Sequence, residues 1–138
     1  MPGKAKGKEK TIKAEKKSEI HRMIIDLSET TAEGLEHINS LTMKGYFEDT
    51  AEIFTDVANS FHETERALIA TMENYEESSL KAAGSKVTEA MQLMLLAYEG
   101  DSKARPMEII QFTLLPAYRR WQKEMHETLG ESAQSAYH

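Results

Sequence analysis

The chain has 138 residues, 40% of them hydrophobic and 29% charged, with a net charge of −6 and no cysteine. That length suits one domain with its own core. The missing cysteines exclude disulfides, thiolate catalysis and Cys-ligated metal sites. Charge is unevenly spread: residues 1–22 hold eight Lys/Arg against three Glu (+5), and the other 116 hold nine against twenty Asp/Glu (−11). An acidic body is a poor surface for polyanions, which need clustered positive charge. No apolar run approaches the roughly 18 residues that cross a bilayer. The lysine-rich start leads into no apolar signal segment. The expectation is a cytoplasmic protein without a membrane span.

Residues 1–17 read as a basic flexible tail carrying Lys4, Lys6, Lys8, Lys10, Lys13, Lys16 and Lys17. Residues 1–11 have no apolar period and should be disordered, with helix plausible from Ile12. The first helix carries Ile20, Met23, Ile24, Leu27, Thr31, Leu35, Ile38 and Leu41, and Gly45 ends it. A second starts near Tyr46–Thr50, where Asp49 and Glu52 have capping-box spacing. Its buried line is Phe47, Ala51, Phe54, Val57, Ala58, Phe61, Leu68 and Met72.

Asn74–Ser79 favours a break, since Asn and Ser prefer caps and turns. No Pro or Gly enforces it, so one helix over residues 46–99 remains open. The third helix carries Leu80, Ala83, Val87, Ala90, Met91, Met94, Ala97 and Tyr98, and Gly100-Asp101 closes it. Pro106 opens the fourth, whose seam is Met107, Ile110, Leu114, Ala117, Tyr118, Trp121, Met125 and Leu129. Ile20, Leu27, Gly34 and Leu41, then Phe47, Phe54, Phe61, Leu68 and Tyr75, stand seven residues apart, the spacing of one helical seam. Four matched stripes with short connections predict an all-α, antiparallel up-down four-helix bundle over residues 18–130, with 131–138 frayed.

Candidate chemistry fails on spacing. A carboxylate-bridged dimetal bundle needs Glu-x-x-His on two helices. The residues three before His21, His37, His62 and His126 are Ser18, Gly34, Asn59 and Lys123. No P-loop, Gly-x-Ser-x-Gly, His-Glu-x-x-His or Gly-x-Gly-x-x-Gly occurs either. The expectation is therefore a non-enzyme without cofactor or metal. Gly34 and Gly84 lie inside helices, where each costs about 1 kcal/mol against Ala. Close backbone packing is their bland explanation, and a ligand on bare backbone the sharper one.

Pro116 is the main irregularity. Inside a helix it removes the bond to the Phe112 carbonyl and forces a kink. Such a kink shapes a groove or hinge beside Phe112, Tyr118 and Trp121. Arg119, Arg120 and Lys123 form the only basic cluster of the body, read as a solvated face or as a dock for an acidic partner. Phe112, Pro116, Tyr118, Arg119, Arg120, Trp121 and Lys123 are the candidate partner-binding residues. Eight methionines make a core or groove adaptable.

The run Ile109–Trp121 (IIQFTLLPAYRRW), preceded by Tyr98-Glu99-Gly100-Asp101, resembles small helical bacterial proteins of unknown function that end in a similar Leu-Pro then Trp helix. The run Met43–Val57 (MKGYFEDTAEIFTDV) is similar to the helix-turn-helix of those proteins and, more loosely, of flagellar export chaperones. Flagellar and secretion chaperones are small acidic bundles that clasp a partner's helix, so the resemblance implies a binding role and no catalytic residue. Three functions follow as expectations: an adaptor or export-type chaperone, a structural homo-oligomer, or a nucleic-acid-associated protein acting through its lysine tail.

Overall fold

The computed structural model describes the backbone of residues 2–134 and side chains from residue 13 onward. Its order is α1 (Pro2–Met43), a 3-10 turn (Phe47–Thr50), α2 (Ala51–Thr71), a second 3-10 turn (Tyr75–Glu77), α3 (Ser79–Glu99), α4 (Ala104–Ile109), a π-helical turn (Ile110–Leu114) and α5 (Leu115–Gln134). No strand occurs among the described residues. The α4–π–α5 run continues without interruption, so the described residues form four helical rods.

Local chemistry explains each boundary. Gly45 has φ +90°, and beside it the Tyr46 amide bonds to Leu41 O (2.8 Å) and its own to Thr42 O (3.0 Å). This pair is a Schellman ending, which needs a left-handed residue. The expected Asp49–Glu52 capping box does not form, because a 3-10 turn precedes α2 and neither Tyr46 nor Thr50 makes a side-chain cap bond. The break between α2 and α3 is real. Met72 is extended, Asn74 is left-handed at φ 58°, and Ser78 caps α3 by accepting from the Lys81 amide at 3.1 Å.

Residues 2–17, expected to be flexible, have helical backbone continuous with α1. Lys, Ala and Glu at most of these positions are good helix formers, which outweighs Gly3 and Gly7. Of residues 131–138, expected to fray, α5 takes in those up to Gln134, with Ala133 buried. Residues 135–138 lie outside the described part.

Distant contacts fix how the rods meet. His21, midway along α1, touches Thr71 at the end of α2 and Ser132 near the end of α5. Tyr98, at the end of α3, bonds Thr50 beside the start of α2 and stacks on Phe47 at 4.3 Å. Between these ends Phe61 meets Trp121 edge-on at 5.0 Å. α1 packs along both α2 and α5, and α5 along α3, whereas α2 and α3 come close at the backbone in few places.

The buried row of α1 is Ser18, His21, Ile24, Ser28, Thr31, Leu35, Ile38 and Thr42. The expected row included Ile20 and Met23, but Ile20 is 37% exposed and Met23 63%. Polar residues hold five of the eight buried places. Two of the hydroxyls bond back to the helix, Ser28 to Ile25 O (2.7 Å) and Thr31 to Leu27 O (2.9 Å), whereas Thr42 Oγ1 is buried with no partner among the described residues. Gly34 and Gly84 both mark close approaches. A Cβ on Gly34 would stand 2.6 Å from Val57 Cγ2, and one on Gly84 2.7 Å from Glu65 Oε2.

Candidate partner-binding groove

Pro116 sits at the second position of α5, directly after the π turn. With no N–H and a ring that collides with the carbonyl four residues back, it cannot continue a regular ladder. The chain opens the ladder ahead of it, and the Leu115 amide reaches Ile110 O, five residues back. Phe112 lies within the widened turn and is turned outward, 75% exposed.

Between this turn and α3 runs a groove of about 600 Å3. Ala82, Ala83, Ala90 and Leu93 of α3 face Pro116 and Ala117 across it, and Phe112 stands at its wall. Small side chains on both rods leave the space open. Lys86 and Glu89 edge it on one side, Arg120 and Glu124 on the other. Glu124 Oε2 is buried and has no hydrogen-bond partner among the described residues. An unpaired buried acceptor costs about 1–3 kcal/mol.

The seven candidate residues fall into three groups. Phe112, Pro116 and Arg120 line the groove. Arg119 pairs with Glu36 of α1, and it lines a shallow depression with Lys123 and His126. Tyr118 and Trp121 are core, 1% and 0% exposed, so neither is available to a partner in this conformation. Tyr118 donates to Ser28 O at 2.6 Å. The Trp121 indole N–H has no acceptor among the described residues. In the tail, Lys13, Lys16 and Lys17 are exposed, while the side chains of Lys4, Lys6, Lys8 and Lys10 lie outside the described part. The α3 half of the groove carries no signal beyond alanines at helical spacing, a pattern equally suited to tight packing.

Two polar clusters lie elsewhere. His21, 3% exposed, accepts or donates at 3.0 Å to Ser132 Oγ through Nδ1 and to Thr71 Oγ1 through Nε2. Thr71 donates its own proton to Ala67 O, so Nε2 carries the histidine proton and Nδ1 accepts from Ser132. Burial, and then Lys17, hold His21 below its ordinary value. Tyr75 donates to Glu65 Oε2 at 2.8 Å, and burial followed by this bond pushes its phenol far up. Both clusters tie helix ends together. No helix among the described residues is long and apolar enough to cross a membrane.

A family model described as "Domain of unknown function (DUF8042)" matches residues 19–124. The match spans all four rods and most of the chain, so the chain belongs to this family. No curated protein and no solved structure matches it.

Proposed function

We propose that this member of the DUF8042 family is a non-enzymatic, protein-binding helical bundle that clasps an amphipathic helix of a partner protein between α3 and α5. The bundle is antiparallel and up-and-down, an arrangement supported by the end-to-end pairings His21–Thr71, His21–Ser132 and Thr50–Tyr98. The observation that carries the reading is the alanine-floored groove with Phe112 exposed at its wall. Helix-in-groove recognition uses apolar anchors three and four residues apart on the incoming helix. Phe112 supplies the matching aromatic contact. The role is that of an adaptor or export-type chaperone, exercised in a bacterial cytoplasm.

The test compares wild-type protein with Phe112→Asp as bait in native lysate. A dominant protein held by wild type and lost with Phe112→Asp, at unchanged circular dichroism, is the expected result. Identical retention by both baits would remove the groove from the account.

A further inference from the structure

Lys86 of α3 and Arg120 of α5 both line the groove, one from each wall. Contacts through α2 set their relative height. Thr50 bonds Tyr98, and a Cβ on Gly84 would meet Glu65, so α2 and α3 run in opposite directions with residues 65 and 84 level. Phe61, about one turn before Glu65, then stands beside residue 88 of α3. Its ring meets Tyr118 and Trp121 of α5 at 6.3 and 5.0 Å. Lys86 and Arg120 therefore face each other at one level. Leu93 lies about two turns further along α3, and Phe112 about two turns back along the opposing rod, so both fall at the same end of the groove. Leu96, one turn on from Leu93 and 63% exposed, extends that apolar end.

Neither cation is strongly held. Lys86 has Glu89 at 3.8 Å, with both side chains open to solvent, and such a pair contributes little. Arg120 makes no ion pair among the described residues, and Glu124, one turn on, has its Oε2 buried. We propose that the helix received by this groove carries an Asp or Glu seated between Lys86 and Arg120, about two turns from the apolar residues that meet Leu93 and Phe112. The inference rests on the helix-binding reading given above and adds the partner's charge and register. A carboxylate at this level meets two facing cations, whereas a Lys or Arg would make a third. Beyond residue 22 the chain holds nine Lys/Arg against twenty Asp/Glu. Most of its surface therefore repels an acidic segment, and the facing pair gives that segment one place to settle.

The test uses two fluorescein-labelled peptides on one alanine-based helical scaffold. Both carry a pair of leucines one turn apart, and they differ only in having Glu or Lys about two turns beyond that pair. Fluorescence anisotropy compares wild type, Phe112→Asp, the double reversal Lys86→Glu with Arg120→Glu, and Met23→Glu on the separate apolar surface of α1 and α2, all checked by circular dichroism. Wild type and Met23→Glu should prefer the Glu peptide about tenfold at low salt, less as salt is added. The double reversal should prefer the Lys peptide. Equal affinity for the two peptides, or a preference untouched by the double reversal, overturns the acidic assignment while the apolar groove stands. If Phe112→Asp binds both peptides as wild type does, or wild type binds neither at millimolar protein, the groove reading falls and this inference with it.

Discussion

His21 shows how one side chain can link three helices and the pH of the medium. It joins α1 to Thr71 of α2 and Ser132 of α5, and it is held neutral. Its folded-state pKa lies below the 6.5 of an open histidine, so between those values the unfolded chain binds the proton more readily. The stability it contributes is therefore present above pH 6.5 and is lost as pH falls through the window beneath it. Denaturant midpoints measured from pH 8 to pH 5 should decline on the acid side, and His21→Gln should flatten that decline. Equal slopes in both proteins would show that His21 is not the titrating group. Trp121 is fully buried with its N–H unpaired. Trp121→Ala should cost about 3–5 kcal/mol of unfolding free energy. Trp121→Phe should cost clearly less, since it removes an unsatisfied donor together with the lost volume.

At the scale of elements, close approaches decide which substitutions are tolerated. Ala at position 34 would gain about 1 kcal/mol of helix propensity. Its Cβ would nevertheless meet the stiff Val57 side chain at 2.6 Å. Overpacking costs about 1–3 kcal/mol, so Gly34→Ala should lower the melting temperature. Gly84→Ala meets only the far end of Glu65, which can swing away at the expense of its Tyr75 bond. The smaller loss belongs to Gly84→Ala, and a reversed order in thermal melts would contradict this packing. The four rods are legible because their apolar steps of three and four are dense, and Gly45, Ser78 and Gly100 punctuate them. The register of α1 is not legible, because its inward row is largely Ser, Thr and His. Those residues look like a surface in the sequence, yet Ser28 and Thr31 are buried with their hydroxyls bonded to their own backbone. Pro116 announces an irregular helix, but a lone proline does not distinguish a kink from the π turn that forms ahead of it. On the α3 side the sequence offers only alanines, which look alike whether they pack against a neighbour or leave space.

At the scale of the whole molecule, two apolar surfaces stand on different pairs of rods: α3 with α5, and α1 with α2. The first is assigned to a partner helix. Mutations on the two surfaces should act independently, as distant sites do. Phe112→Asp is expected to lose partner retention and Met23→Glu to leave it intact. Loss of retention in both variants would mean that the two surfaces are one interface.

Whether the groove beside Phe112 receives a partner helix is measured most directly by photo-crosslinking in host cells from a benzoylphenylalanine placed at position 112, with the exposed position 92 as control. One principal adduct is expected from position 112, absent from position 92, whose cross-linked peptide carries apolar residues at helical spacing. No adduct at 112, or the same adducts from both positions, would contradict it.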